Sequence, residues 1–202
     1  MLFRSKKHTL SEKEEKIISL ASNAFGTGDN VFSSLDNSDA KFGKLTIDGE
    51  EVELNHSNYI KLVSHKDRET RKKVFQQYYQ FFIDHKNTIA EMYKGQVKED
   101  IFSSKVRKFN SPLEQSLFSD AISEDVYRNL IKTIHDNLKP MYDYMEFRKN
   151  YLKLKDLHMY DVYVDLVEGE TKKFTFNEAK DIVLSSVKPL GEQYVKDLTK
   201  AL

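Results

Sequence analysis

Apolar residues along this chain recur mostly with the period of a helix and only briefly with that of a strand. Thr9-Leu10-Ser11-Glu12-Lys13-Glu14-Glu15 reads as a helix start. Ser11 can accept a backbone N–H three residues on, and Glu14 can reciprocate. Acidic residues there suit the positive end of the helix. The stripe Ile17, Ile18, Leu20, Ala21, Ala24 and Phe25 follows, and Gly26 and Gly28 stop it. Asn30 to Leu35 reads as a short helix or turn. Between residues 43 and 54 the period shortens to two. Lys44-Leu45-Thr46-Ile47 and Glu51-Val52-Glu53-Leu54 alternate around Asp48-Gly49, which predicts a β-hairpin. His56-Ser57-Asn58 can cap a short helix carrying Tyr59, Ile60, Leu62 and Val63. The longest helical pattern runs from Asp67 to about Lys108, through Val74, Tyr78, Phe81, Phe82, Ile89, Met92, Tyr93, Val97, Ile101 and Phe102. Gly95 within it marks a break or a close helix crossing, and the aromatic stripe predicts helix–helix core.

Asn110-Ser111-Pro112-Leu113-Glu114 restarts the chain as a helix with proline near its first position. Ser123-Glu124-Asp125-Val126 opens another, striped by Val126, Tyr127, Leu130, Ile131, Ile134 and Leu138, and Pro140 ends or kinks it. Met141 to Leu154 is a further run. Leu157 to Leu166 is rich in aromatic and β-branched residues and alternates, which predicts an extended segment. As a strand it would point His158, Tyr160 and Val162 to one side and Met159, Asp161 and Tyr163 to the other. Lys173-Phe174-Thr175-Phe176 is a second candidate for extended backbone, followed by helices from about Phe176 to Pro189 and from Gly191 to Leu202. The expected fold is mainly α: a multi-helix assembly with one small hairpin and one short extended segment. We divide it into an N-terminal helical region, 1–110, holding the hairpin at 43–54, and a second helical region, 111–202.

Composition narrows the chemistry. The 202 residues carry equal numbers of acids and bases, so nothing in the overall charge favours nucleic acid or an acidic membrane as a partner. The runs Arg71-Lys72-Lys73 and Lys105-Val106-Arg107-Lys108 follow acidic residues and read as solvated helix faces. Cysteine is absent, which excludes disulfides, thiol nucleophiles and cysteine–zinc centres. No apolar run reaches the ~20 residues of a membrane-spanning helix, and Met1 to Lys7 lacks the apolar core of a signal peptide, so a cytoplasmic protein is expected. No two of His8, His56, His65, His85, His135 and His158 stand four apart, so the His-Glu-x-x-His pair of a zinc peptidase helix is absent. Neither a Gly-x-Ser-x-Gly elbow nor a glycine-rich phosphate loop occurs.

Several pieces, in order, resemble oligoendopeptidase F, a bacterial zinc metallopeptidase related to thimet oligopeptidase. They are His8-Thr9-Leu10-Ser11-Glu12, Asn58-Tyr59-Ile60-Lys61-Leu62, Asp67-Arg68-Glu69-Thr70-Arg71-Lys72, Gly95-Gln96-Val97-Lys98, Leu113-Glu114-Gln115-Ser116-Leu117-Phe118, Leu157 to Val164, and Lys188-Pro189-Leu190-Gly191-Glu192. The resemblance implies a helical bowl with a deep channel and cleavage of short peptides at internal bonds. It implies zinc in the intact enzyme, held by residues beyond the part matched here, so no catalytic or metal-binding residue carries over. The chain resembles the middle section of a longer protein, and a fragment without activity of its own is expected. Tyr160-Asp161-Val162-Tyr163 resembles an aromatic–Asp–Tyr signature of the wider family, but this chain has no tryptophan and a different tyrosine spacing. His158, Tyr160, Asp161 and Tyr163 are therefore the candidate substrate-binding residues, with tyrosine hydroxyls bonding a peptide backbone. In the structural alternative Asp161 pairs with a basic neighbour and the tyrosines pack. A free-standing peptide-binding or adaptor module is the alternative function. Apolar surface that would face a missing part predicts self-association.

Overall fold

A computed structural model describes residues 6–22, 24–167 and 174–202, and divides the chain into two compact units, Met1–Leu166 and Val167–Leu202. In the first unit α1 (Glu12–Ala21) begins at the expected capping box: the Ser11 hydroxyl accepts from the Glu14 N–H and the Glu14 carboxylate accepts from the Ser11 N–H. Helix α2 (Thr27–Ser34) runs into a wide turn at Leu35–Asp39. Gly28, expected to stop a helix, lies inside α2. A Cβ there would sit 3.0 Å from the main-chain oxygen of Met92, so glycine permits α2 to approach the later helix that carries Met92.

Strands β1 (Lys44–Ile47) and β2 (Glu50–Glu53) pair antiparallel with Leu45 opposite Val52 and Ile47 opposite Glu50. Asp48 and Gly49 both take positive φ, 52° and 86°, the backbone of a two-residue turn whose twist matches the strands. The hairpin rests Ile47 and, through Phe42 and Leu54 beside it, its inner face on the core of Tyr59, Val63, Val74 and Tyr160. Helix α3 (His56–Val63) is capped by Asn55, one residue earlier than expected, in a reciprocal bond pair with Asn58.

The long pattern from Asp67 onward is two helices, α4 (Arg68–Asp84) and α5 (Lys86–Val106), and the break falls at His85 rather than Gly95. No glycine or proline causes it. The His85 imidazole Nδ1 lies 2.7 Å from the Phe81 carbonyl oxygen, which also accepts the His85 N–H, so a side chain takes over the end of the α4 ladder. Gly95 lies within α5, exposed, with open space where a Cβ would be. Helix α4 supplies the aromatic half of the core: Tyr78 stacks on Phe42 at 4.5 Å and on Tyr59 at 4.0 Å between ring centres. The segment before α1 is tied to the end of α5, where the His8 ring stacks on Phe109 at 3.7 Å and Arg107 forms two 3.0 Å bonds with Glu15. Arg107 is therefore an ion-pair partner, not part of a solvated run.

Helices α6 (Pro112–Phe118) and α7 (Glu124–Asp136) start at Ser111 and Ser123, as their sequence predicts. Pro140 sits in the first turn of a separate helix, α8 (Lys139–Tyr151), so it breaks the pattern instead of kinking it. The apolar stripe of α7 is exposed at Val126, Tyr127, Leu130, Ile131 and Ile134. In the second unit, Thr175 and Glu178 form a capping box for α9 (Phe176–Ser186), and α10 (Glu192–Ala201) follows a turn at Lys188–Leu190. The second extended piece is not found among its described residues: Thr175 is a cap and Phe176 is helical, while Lys173 lies outside them.

Two glycines make opposite predictions. Gly95→Ala should stabilise the chain by about 0.5–1 kcal/mol, because alanine is the better helix former and meets nothing. Gly28→Ala gains the same propensity but must push helix backbone aside, so its net effect should be a loss of about 1–2 kcal/mol. Urea unfolding of both variants checks this; equal shifts of the same sign would contradict the close contact.

Candidate functional site

Arg68 and Arg71 stand at the start of α4, three apart and so on one face. Asp67 makes that start possible: its carboxylate accepts the Thr70 N–H at 2.8 Å and caps the helix. Cations at a helix N-terminus oppose the helix dipole. The compensating charge comes from Asp161, about 90 residues further along the chain. Its carboxylate accepts Arg68 Nε at 3.1 Å, Arg68 Nη2 at 2.9 Å, Arg71 Nη2 at 2.9 Å and the His158 N–H at 3.0 Å. Asp161 is completely buried, at 0% exposure, and Arg71 nearly so at 3%.

These bonds explain why residues 156–164 form no strand. With its carboxylate bonded to the His158 N–H, Asp161 closes a tight 3₁₀ turn over Met159–Asp161, and the Asp161 N–H returns to the His158 carbonyl at 2.8 Å. The expected two-sided alternation is lost: Tyr160 and Asp161, neighbours in sequence, are both buried. The arginines also hold the main chain of this strap. Arg68 Nη2 donates to the Asp156 carbonyl at 2.9 Å and Arg71 Nε to the Tyr160 carbonyl at 3.0 Å, while Arg71 Nη1 reaches the carbonyls of His65 and Lys66. A third guanidinium, Arg148 on α8, donates to the carbonyls of Asp161 and Val164.

The candidate residues thus separate into two pairs. Tyr160 packs edge-on to Phe75 with 5.9 Å between ring centres and has the Arg68 guanidinium over its ring at 5.4 Å. Asp161 is the buried anion. His158 stacks on the outer face of Tyr160 at 5.0 Å and is exposed, and Tyr163 is exposed as well. Arg68, Arg71 and Arg148 were not singled out as functional residues by sequence reasoning, and Arg71 was read as part of a solvated run. Two arginines directly behind a capping aspartate, where the helix dipole disfavours cations, were the available signal.

Burial alone would push the pKa of Asp161 up, toward the neutral acid, but the bonds from Arg68 and Arg71 outweigh it and hold the carboxyl below the usual carboxylate range. The geometry therefore suits a fixed anion that orders a strap, not a proton carrier. Nor do the residues fit a zinc ion. Both Asp161 oxygens are taken by guanidinium groups, Oδ1 by Arg68 and Arg71 and Oδ2 by Arg68, and among the described residues no three His, Asp or Glu side chains come together in a way that could hold a metal.

Comparison with known proteins gives this arrangement a family. The sequence model of peptidase family M3 matches residues 61–201, which include α4, α8 and the strap, and that described as Oligopeptidase F matches residues 1–42. The chain belongs to peptidase family M3. It is 39% identical to Oligopeptidase PepF of Bacillus subtilis, over 98% of this chain and 30% of that protein. It is 36% identical to an oligoendopeptidase F homolog of Borreliella burgdorferi, over 100% of this chain and 33% of that protein. The crystal structure of oligoendopeptidase-F from Enterococcus faecium superposes with a TM-score of 0.79 at 31% identity, covering 95% of this chain and 36% of that one. The chain thus spans about a third of the length of the M3 relatives it matches. The resemblance to oligoendopeptidase F read from the sequence is borne out, as is the mainly α fold with its hairpin.

Asp161→Asn should cost about 3–5 kcal/mol at neutral pH, because it leaves buried guanidinium groups without their anion. Since the carboxyl is held below its ordinary value, this difference should be complete above the unfolded value of about pH 4 and fade as pH falls through the lower folded one. Chemical unfolding of wild type and variant from neutral to strongly acid pH checks it; a difference that persists unchanged in strong acid would contradict the ion pair.

Proposed function

We propose that these residues form the helical, substrate-facing part of an oligopeptidase that cuts internal bonds of short peptides in the cytoplasm. Support comes from membership of family M3 and from relatives named oligopeptidase and oligoendopeptidase F. No helix among the described residues is long and apolar enough to cross a membrane, which agrees with that location. The observation that carries the reading is the strap: an M3-family segment pinned to the core through buried residues while His158 and Tyr163 remain open to a ligand. In this reading those two contact the peptide, the Tyr163 hydroxyl bonding its backbone, and Tyr160 and Asp161 serve binding by holding them in place. In this reading the zinc that membership of family M3 implies is held elsewhere than in the strap, where both Asp161 oxygens are taken by guanidinium groups.

Two outcomes are expected of the purified 202-residue chain. With zinc and an internally quenched octapeptide it shows no chelator-sensitive hydrolysis. In NMR titration with the same peptide, the amide signals around His158 and Tyr163 shift saturably. Turnover that a chelator abolishes and zinc restores would contradict the division of labour, and an unperturbed strap would contradict the peptide contact.

The open stripe of α7 adds a prediction about the isolated chain. Val126, Leu130, Ile131 and Ile134 form a continuous exposed apolar face, of the kind that marks an interaction surface. Without another protein surface to cover it, a second copy does so, and light scattering should show mass rising with concentration. A strictly monomeric species at high concentration would contradict this.

A further inference from the structure

Arg148 is nearly as buried as Arg71, at 5% exposure, yet among the described residues it has no carboxylate within ion-pair distance. The Asp161 carboxylate is already filled by Arg68, Arg71 and the His158 N–H. Arg148 instead directs its fork at main-chain oxygens: Nε donates to the Asp161 carbonyl at 2.9 Å, Nη2 to the Val164 carbonyl, and Nη1 lies 3.5 Å from the Tyr144 hydroxyl. A buried guanidinium met only by neutral oxygens, two carbonyls and a hydroxyl, is costly to bury.

The positions of those carbonyls suggest the use. The first half of the strap, His158 to Asp161, is closed by the Asp161 carboxylate and would keep its turn without Arg148. The second half has no such closure. Its two ends, Asp161 and Val164, are the residues that Arg148 bridges, and Tyr163 lies between them with its side chain half exposed. Arg148 sits on α8, so the same fork fastens that helix to the strap. Only a planar, two-pronged donor spans both carbonyls at once; a lysine ammonium carries the same charge as a single point.

We infer that Arg148 is a positioning residue for Tyr163: by bridging the Asp161 and Val164 carbonyls it sets the backbone that presents the Tyr163 ring to a bound peptide. The role rests on the proposed peptide contact, but the positioning itself can be read without it. Burial first, and then the neighbouring Tyr79 and Tyr163, push the pKa of the Tyr59 phenol up, which sets Tyr163 near Tyr59.

The test uses the full chain and three variants. In Arg148→Lys, amide hydrogen exchange at Tyr163 and Val164 should speed by about tenfold while the amides of α3, α4 and the turn from Met159 to Val162 exchange as in wild type. The thermal midpoint should stay close to that of wild type, and the peptide-induced shift at Tyr163 should be lost. Arg148→Met should give the same local pattern with a lower midpoint; should it fail to fold, Arg148→Lys still decides. Tyr163→Phe, which removes only the hydroxyl, should leave exchange unchanged and weaken the peptide response. Exchange at Tyr163 and Val164 that is unaltered in Arg148→Lys, or that rises together with α3 and α4, would overturn the positioning role. A wild-type chain whose strap ignores the peptide would sink the proposed contact instead, leaving the exchange comparison to decide on Arg148.

Discussion

A carboxylate with no exposure to water must have its charge met from every side, and everything specific about this chain follows from how Asp161 does so. Removing an ion from water costs several kcal/mol even after the protein relaxes. Asp161 recovers this through four bonds, three from guanidinium groups and one from its own turn. The same bonds set the shape around it. They hold two arginines at the start of α4 against the helix dipole, fold residues 156–164 into a strap instead of a strand, and seat Tyr160 against the aromatic core. Two guanidinium groups share one carboxylate and Arg148 has none, so the surplus of positive charge goes to main-chain carbonyls at Asp156, Tyr160, Asp161 and Val164. Those contacts fix the path of the backbone as well as its charge.

Local structure was legible wherever the signal was local. The Ser11–Glu14 box, the Asp48-Gly49 turn and the helix starts at Ser111 and Ser123 each lie within four residues, and the chain forms each as read. The failures have separate causes. The break at His85 comes from an imidazole reaching back to a carbonyl, a competition with no composition signature. The alternation of 157–166 fits a strand as well as any in the chain, but an anion paired across 90 residues overrides it. Gly28 and Gly95 are alike in sequence and opposite in role because only one faces another helix.

The candidate site was half legible. The motif containing Tyr160, Asp161 and Tyr163 stood out by resemblance, and so did the Arg68–Lys72 segment. That they are two halves of one cluster is visible only when the fold brings them together. Arg148 carried no signal at all: it lies mid-helix among aromatic residues, and its partners are carbonyls, which every residue has. Within family M3 this cluster behaves as a frame. Both oxygens of its buried carboxylate are taken by guanidinium groups, and His158 and Tyr163 are exposed beside it.

The most direct test of that frame is a double-mutant cycle joining Asp161→Asn with Arg71→Met. If the two charges are stabilised mainly by each other, each single variant strands a buried partner and the double variant does not. The account predicts a coupling above about 1 kcal/mol, with the double variant no less stable than Asp161→Asn alone. Losses that simply add, to within about 0.5 kcal/mol, would mean that the carboxylate and the guanidinium do not depend on one another, and the account would fall.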